Sequence, residues 1–198
     1  MLHKEYIEIS NKLGTVGGVE VITNGDMLNK KSLKEIYNSK VTRLLISLYD
    51  GEEQILKFKN MIKECGIPEN FVILRDRWYS DKVDYGVKLT NRVGTIEVGN
   101  QPEVKNYQKQ KCYYTAYQTL IDWNGDVFLC PQDWQRRQSM GNIMQTDFFN
   151  IWNGPVLSKY RRTLLNGDRK MNPCNKCNAD GMVYGIKHND AWNKTYKK

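Results

Sequence analysis

Apolar and polar positions in the first half of the chain alternate between helical and strand spacing. Tyr6, Ile9 and Leu13 share one helical face, which Gly14 ends. Val19-Glu20-Val21-Ile22 is a β-branched run that predicts a strand, closed by Thr23-Asn24-Gly25. Ser32-Leu33-Lys34-Glu35 has capping-box spacing and predicts a short helix through Ile36 and Tyr37. Leu44-Leu45-Ile46-Ser47-Leu48-Tyr49 predicts a second strand, apolar nearly throughout, as strands covered on both faces are. Ile55, Phe58, Ile62 and Cys65 then stripe a helix capped by Gly66, and Phe71-Val72-Ile73-Leu74 predicts a third strand leading into Arg75-Asp76-Arg77-Trp78. Buried strands alternating with helices predict an α/β fold with a parallel sheet. Such sheets bind ligands at the carboxyl ends of their strands. Here those ends are polar: Thr23 to Gly25, Ser47 to Gly51, and Arg75 to Trp78.

From Trp78 to Lys111 the periodicity dissolves, and only Thr95-Ile96-Glu97-Val98 has strand character. After Cys112, two apolar runs flank Trp123-Asn124-Gly125-Asp126, a hairpin signal. Phe148 to Asn153 suggests one or two helical turns. Val156, Leu157, Tyr160, Leu164 and Leu165 stripe a helix that ends near Gly167. The expected organisation is one unit over residues 1–105 and a smaller α+β unit over 106–198.

Composition narrows the function classes. A chain of 198 residues can bury a real core, so its cysteines are not needed to staple a miniature fold. No run approaches the ~20 apolar residues of a membrane span, and the N-terminus lacks the apolar centre of an export signal. A cytoplasmic location is the expectation, and in that reducing compartment clustered cysteines bind metal or react more often than they pair. The net charge of +8 comes from scattered lysines, which disfavours nucleic acid as a partner.

Of the five cysteines, Cys65 lies on the apolar helix stripe and reads as a small hydrophobe. Cys112 and Cys130 bracket the hairpin, while Cys174 and Cys177 form Cys-x-x-Cys. That spacing points two thiolates at one centre, and a second pair completes a four-thiolate site for zinc or an iron–sulfur cluster. A redox dithiol is disfavoured because the strand-then-helix context of such motifs is missing. Spacing alone leaves zinc and iron–sulfur balanced.

One resemblance changes that balance. Cys112, Asp122-Trp123-Asn124-Gly125-Asp126-Val127, Cys130, Met140-Gly141-Asn142-Ile143, Ile151-Trp152-Asn153, Arg161 or Arg162, and Pro173-Cys174-Asn175-Lys176-Cys177 follow one another in order. Together they resemble the SPASM type of auxiliary-cluster domain of radical S-adenosylmethionine (SAM) enzymes, in its shortened, single-cluster form with four cysteines. The first half resembles later strands of a radical SAM (β/α) barrel, with Thr23-Asn24-Gly25 as a strand end. The resemblance implies an auxiliary [4Fe–4S] cluster on Cys112, Cys130, Cys174 and Cys177. It also implies SAM contacts from Asn24, Ser47 and Arg75, and radical modification of a peptide or small-molecule substrate.

The family's Cys-x-x-x-Cys-x-x-Cys, which holds the SAM-cleaving cluster, is absent from this sequence. At about 30 residues per βαβ unit, the first half supplies only part of a barrel. The expectation is a portion of a longer or split enzyme, partnered by a chain or segment with that cluster and inactive in SAM cleavage alone. A structural module with zinc in the four-thiolate site is the alternative, and a free-standing electron carrier a further one.

Overall fold

The computed structural model describes residues 5–77, 90–96, 107 and 109–197. Contacts divide the chain into Met1–Tyr85 and Gly86–Lys198. The first unit has the parallel α/β character expected from the sequence. It runs α1 (Tyr6–Leu13), β1 (Val19–Thr23), α2 (Lys30–Tyr37), β2 (Val41–Leu48), α3 (Glu53–Glu64) and, after a 3-10 turn, β3 (Val72–Asp76). The three strands are parallel, in the order β1-β2-β3.

Strand β2 is central, and Leu44 to Leu48 are buried without a break. Leu44, Ile46 and Leu48 pack with Leu33 and Ile36 of α2 and with Phe58 and Ile62 of α3. Each such side chain contributes about 1.5–3 kcal/mol when fully buried. Cys65 packs at the edge of this core, as the apolar stripe predicts.

Two local expectations change. Helix α2 starts one turn earlier than the Ser32/Glu35 spacing suggests. Asn29 is its N-cap, and the Asn29 side chain accepts from the Ser32 N–H while Ser32 Oγ accepts from the Asn29 N–H, both at 3.0 Å. In α1, Ile9 and Leu13 are exposed (44% and 52%), whereas Tyr6 and Ile7 meet the core and Ser10 is buried. Contacts at the end of the helix set this rotation. The Lys40 N–H donates to Asn11 Oδ1 at 2.8 Å, and Gly14 sits so close to Lys40 that an added Cβ would lie 2.4 Å from its Cβ.

Gly25 shows why β1 ends where it does. It has φ +82°, and a Cβ there would lie 2.5 Å from the Phe58 ring and 2.9 Å from Ile46. Gly25→Ala should therefore destabilise the first unit by about 2–4 kcal/mol, combining left-handed strain with overpacking. Thermal unfolding followed by far-UV circular dichroism would show it, and an unchanged midpoint would refute this account of the turn.

The second unit contains α4 (Tyr114–Tyr117), β4 (Leu120–Ile121), β5 (Asp126–Phe128), β6 (Ser139–Asn142), α5 (Phe148–Trp152), α6 (Pro155–Leu165) and α7 (Ile186–Tyr196). The predicted hairpin is β4-β5, turned through Gly125 at φ +86°. Strand β6 extends it into an antiparallel sheet. Its Gly-Asn content hides it from strand propensity. Helix α6 buries Leu157, Tyr160, Leu164 and Leu165 as predicted, but Val156 is exposed. Helix α7 has no counterpart in the sequence pattern, because its polar sequence shows little apolar periodicity. Trp192 and Tyr196 nonetheless pack against Tyr113, Ala116 and Leu165.

The expected strand at Thr95–Val98 does not form at Thr95 or Ile96, and Glu97 and Val98 lie outside the described residues. Arg92, Val93 and Gly94 have positive φ, and the Thr95 N–H turns back to the Asn91 carbonyl. The same segment is bound within the second unit, ahead of the boundary near residue 105 read from the sequence. Asn91 exchanges hydrogen bonds with Asn178 and donates to the Lys176 carbonyl, and Val93 is buried.

Candidate metal centre

Cys112, Cys130, Cys174 and Cys177, grouped by spacing in the sequence, line one internal cavity. Cys112 stands just before α4, where its N–H donates to the Leu164 carbonyl of α6 and the Tyr113 N–H donates to the Gly181 carbonyl. Cys130 follows β5 and opens a turn closed by the Asp133 N–H on its carbonyl. Cys174 and Cys177 sit in a 3-10 turn, in which the Cys177 N–H returns to the Cys174 carbonyl at 3.1 Å. Cys65 belongs to the first unit and is not among the cavity residues.

Burial raises the pKa of all four cavity thiols above the ordinary thiol value. Cys130 is pushed up to about 12, chiefly by burial and then by the charges of Cys112 and Cys177. Cys174 rises further for the same reasons, with Cys130 and Cys112 as its charged neighbours. Opposing forces favour thiolate. The Ala179 N–H donates to Cys177 Sγ at 3.4 Å, and backbone N–H groups likewise serve Cys112 and Cys130. The Arg169 guanidinium lowers the pKa of Cys112, Cys174 and Cys177. Four thiolates in one dry pocket require positive charge at their centre, which a metal centre supplies. The donor set fits: among the described residues no carboxylate or imidazole lines the cavity, and soft thiolates select zinc or iron–sulfur over magnesium or calcium.

Sequence reading missed two contributors. Arg169 lies in the polar stretch Gly167-Asp168-Arg169-Lys170, yet it is only 1% exposed. Gly181, at φ +74°, packs its Cα side against Cys112, where an added Cβ would come within 2.5 Å of Sγ. A single buried arginine and a single contact glycine leave no periodic signal.

The proposed SAM contacts belong to the first unit. Ser47 and Arg75 are register partners across β2 and β3. Thr23 pairs with Ile46, so Asn24, the next residue, reaches the level of Ser47. The parallel register thus brings all three to one row at the carboxyl end of the sheet. Ser47 is buried and Asn24 exposed, with the Asn24 side chain donating to Asp26.

Residues 112–178 match the SPASM family, an iron-sulfur cluster-binding domain. The S-adenosyl-L-methionine-dependent 2-deoxy-scyllo-inosamine dehydrogenase of Niallia circulans is 26% identical over 160 residues. That match covers 80% of this chain, which spans 59% of the relative's length. The crystal structure of BtrN in complex with AdoMet and 2-DOIA superposes with a TM-score of 0.72 at 20% identity, covering 92% of this chain and 71% of that one. An open conformation of BtrN gives 0.62 at 17% identity, covering 91% and 70%.

Proposed function

We propose that Cys112, Cys130, Cys174 and Cys177 hold an auxiliary [4Fe–4S] cluster, a reading supported by the match of residues 112–178 to the SPASM iron-sulfur cluster-binding family. The observation that carries this reading is the convergence of four thiols on one cavity, with no carboxylate or imidazole among its described lining residues. The match of residues 112–178 to an iron-sulfur cluster-binding family favours the cluster over zinc in this four-thiolate site.

When bound, such a cluster supplies one-electron chemistry. The residues of the chain do the rest. The thiolates anchor the cluster, amides and Arg169 stabilise their charge, and the row Asn24, Ser47 and Arg75 holds SAM. The reading includes a partner segment or chain with a Cys-x-x-x-Cys-x-x-Cys site, working in the reducing cytoplasm. The relation to an inosamine dehydrogenase favours a small hydroxylated ring over a peptide as substrate.

Anaerobic purification followed by iron, sulfide and zinc analysis tests the centre. About four irons and four sulfides per chain are expected from the proposed cluster type. Serine at any of the four cavity cysteines should remove most of the iron, whereas Cys65→Ser should remove none. A colourless protein with one zinc and no sulfide would replace this reading with the zinc module.

A further inference from the structure

Arg169 is buried with its charge, and among the described residues no Asp or Glu side chain is its hydrogen-bond or ion-pair partner. Its acceptors are four backbone carbonyls. Nε donates to Gln110 at 2.9 Å, Nη1 to Ala179 at 2.6 Å, and Nη2 to Lys111 at 2.7 Å and to Asp180. Gln110 and Lys111 lead into Cys112, and Ala179 and Asp180 follow Cys177. One planar fork therefore ties together the two segments that deliver ligands from opposite ends of the domain. A lysine has no such geometry.

Burying a guanidinium without a counter-charge costs several kcal/mol after relaxation. Neutral carbonyls satisfy its protons but leave its charge uncompensated. Arg169 lines the cavity with the four cysteines, and its charge acts on Cys112, Cys174 and Cys177. Tyr107 lies 5.9 Å from the guanidinium on another side. Among the acidic groups, Asp180 acts on the site: its carboxylate accepts from the Met182 N–H and raises the Cys112 pKa.

We infer that Arg169 is the built-in counter-ion of the cluster and a positioning residue for its ligand loops, raising the cluster's reduction potential. The inference rests on the iron–sulfur reading above. A four-thiolate cluster becomes more negative by one charge on reduction, and a fixed positive charge in a low-dielectric site favours that form.

The test is an EPR-monitored redox titration of the full chain, purified anaerobically and reconstituted with iron and sulfide. In Arg169→Gln, the reduced-to-oxidised ratio at a fixed potential should fall about tenfold, a midpoint lower by ~59 mV for a one-electron couple. Arg169→Lys keeps the charge and should stay within about threefold of wild type, roughly half that shift on the same scale. An unmoved midpoint in Arg169→Gln with its cluster intact would overturn the inference. If Arg169→Gln holds no cluster, retention in Arg169→Lys near the wild-type potential supports the charge role. Loss from both variants overturns that role and leaves only a brace. Wild-type chain without iron or sulfide would overturn the iron–sulfur reading and this inference together, a result distinct from a wild-type cluster whose potential ignores Arg169.

Discussion

Gly181→Ala is expected to strip the protein of most of its cluster while leaving the first unit folded. Gly181 adopts φ +74°, where an alanine costs about 1–2 kcal/mol. The new Cβ would meet Cys112 Sγ at 2.5 Å, Cys112 Cβ at 3.2 Å and an Arg169 Nη2 at 3.3 Å. None of these can retreat cheaply. Cys112 is pinned by its N–H on Leu164, and the next residue's N–H is bound to Gly181 itself at 2.7 Å. Arg169 is held by four carbonyls. The ligand sulfur must therefore move, and iron–sulfur centres depend on the placement of every thiolate. Iron and sulfide content, with the visible charge-transfer absorption, should drop severalfold. Full retention of iron would show that the Cys112 loop is looser than this packing implies.

Arg161→Ala should have the largest effect on stability, roughly 3–5 kcal/mol, from lost charge-assisted hydrogen bonds and stacking. The side chain is fully buried. Nε donates to the Thr115 carbonyl at 2.8 Å, Nη2 to the Trp152 carbonyl at 3.0 Å and Nη1 to Tyr196 Oη at 3.0 Å. Its guanidinium carbon lies 3.8 Å from the Trp192 ring centroid and 4.6 Å from that of Trp152. One residue thus joins α4, α5, α6 and α7. Removing it leaves buried carbonyls without donors and two indoles without their shared partner. Near-UV circular dichroism should show a lower, broader unfolding transition in the second unit. The exposed neighbour Arg162, 4.4 Å from Tyr196, is the control, with an expected loss under about 1 kcal/mol. Equal losses from the two variants would refute the assignment of the buried role to Arg161.

The resemblance in the sequence left Arg161 and Arg162 undivided, because both stand next to the apolar stripe of α6. Helical phase alone places Leu157, Tyr160, Leu164 and Leu165 on the buried side but does not say which arginine reaches across to α7. That choice depends on where Trp192 stands, and α7 itself lacks the periodicity that would announce it. Helix α1 makes the same point from the other direction. Its most apolar face, Ile9 and Leu13, points outward because Asn11 and Gly14 bind at Lys40.

By itself, the sequence determined the parallel sheet, the β4-β5 hairpin, the stripe of α6 and the four cysteines as one group. Each rests on local information: period-two and period-3.6 patterns, an Asn-Gly turn, and the reach of a Cys-x-x-Cys. Tertiary structure alone decided the row formed by Asn24, Ser47 and Arg75, since register is a relation between strands. It also decided the glycine packed against Cys112 and the arginines in the interior. Those roles arise from contacts between segments far apart in the chain, and one residue in such a contact carries no period for a sequence to display.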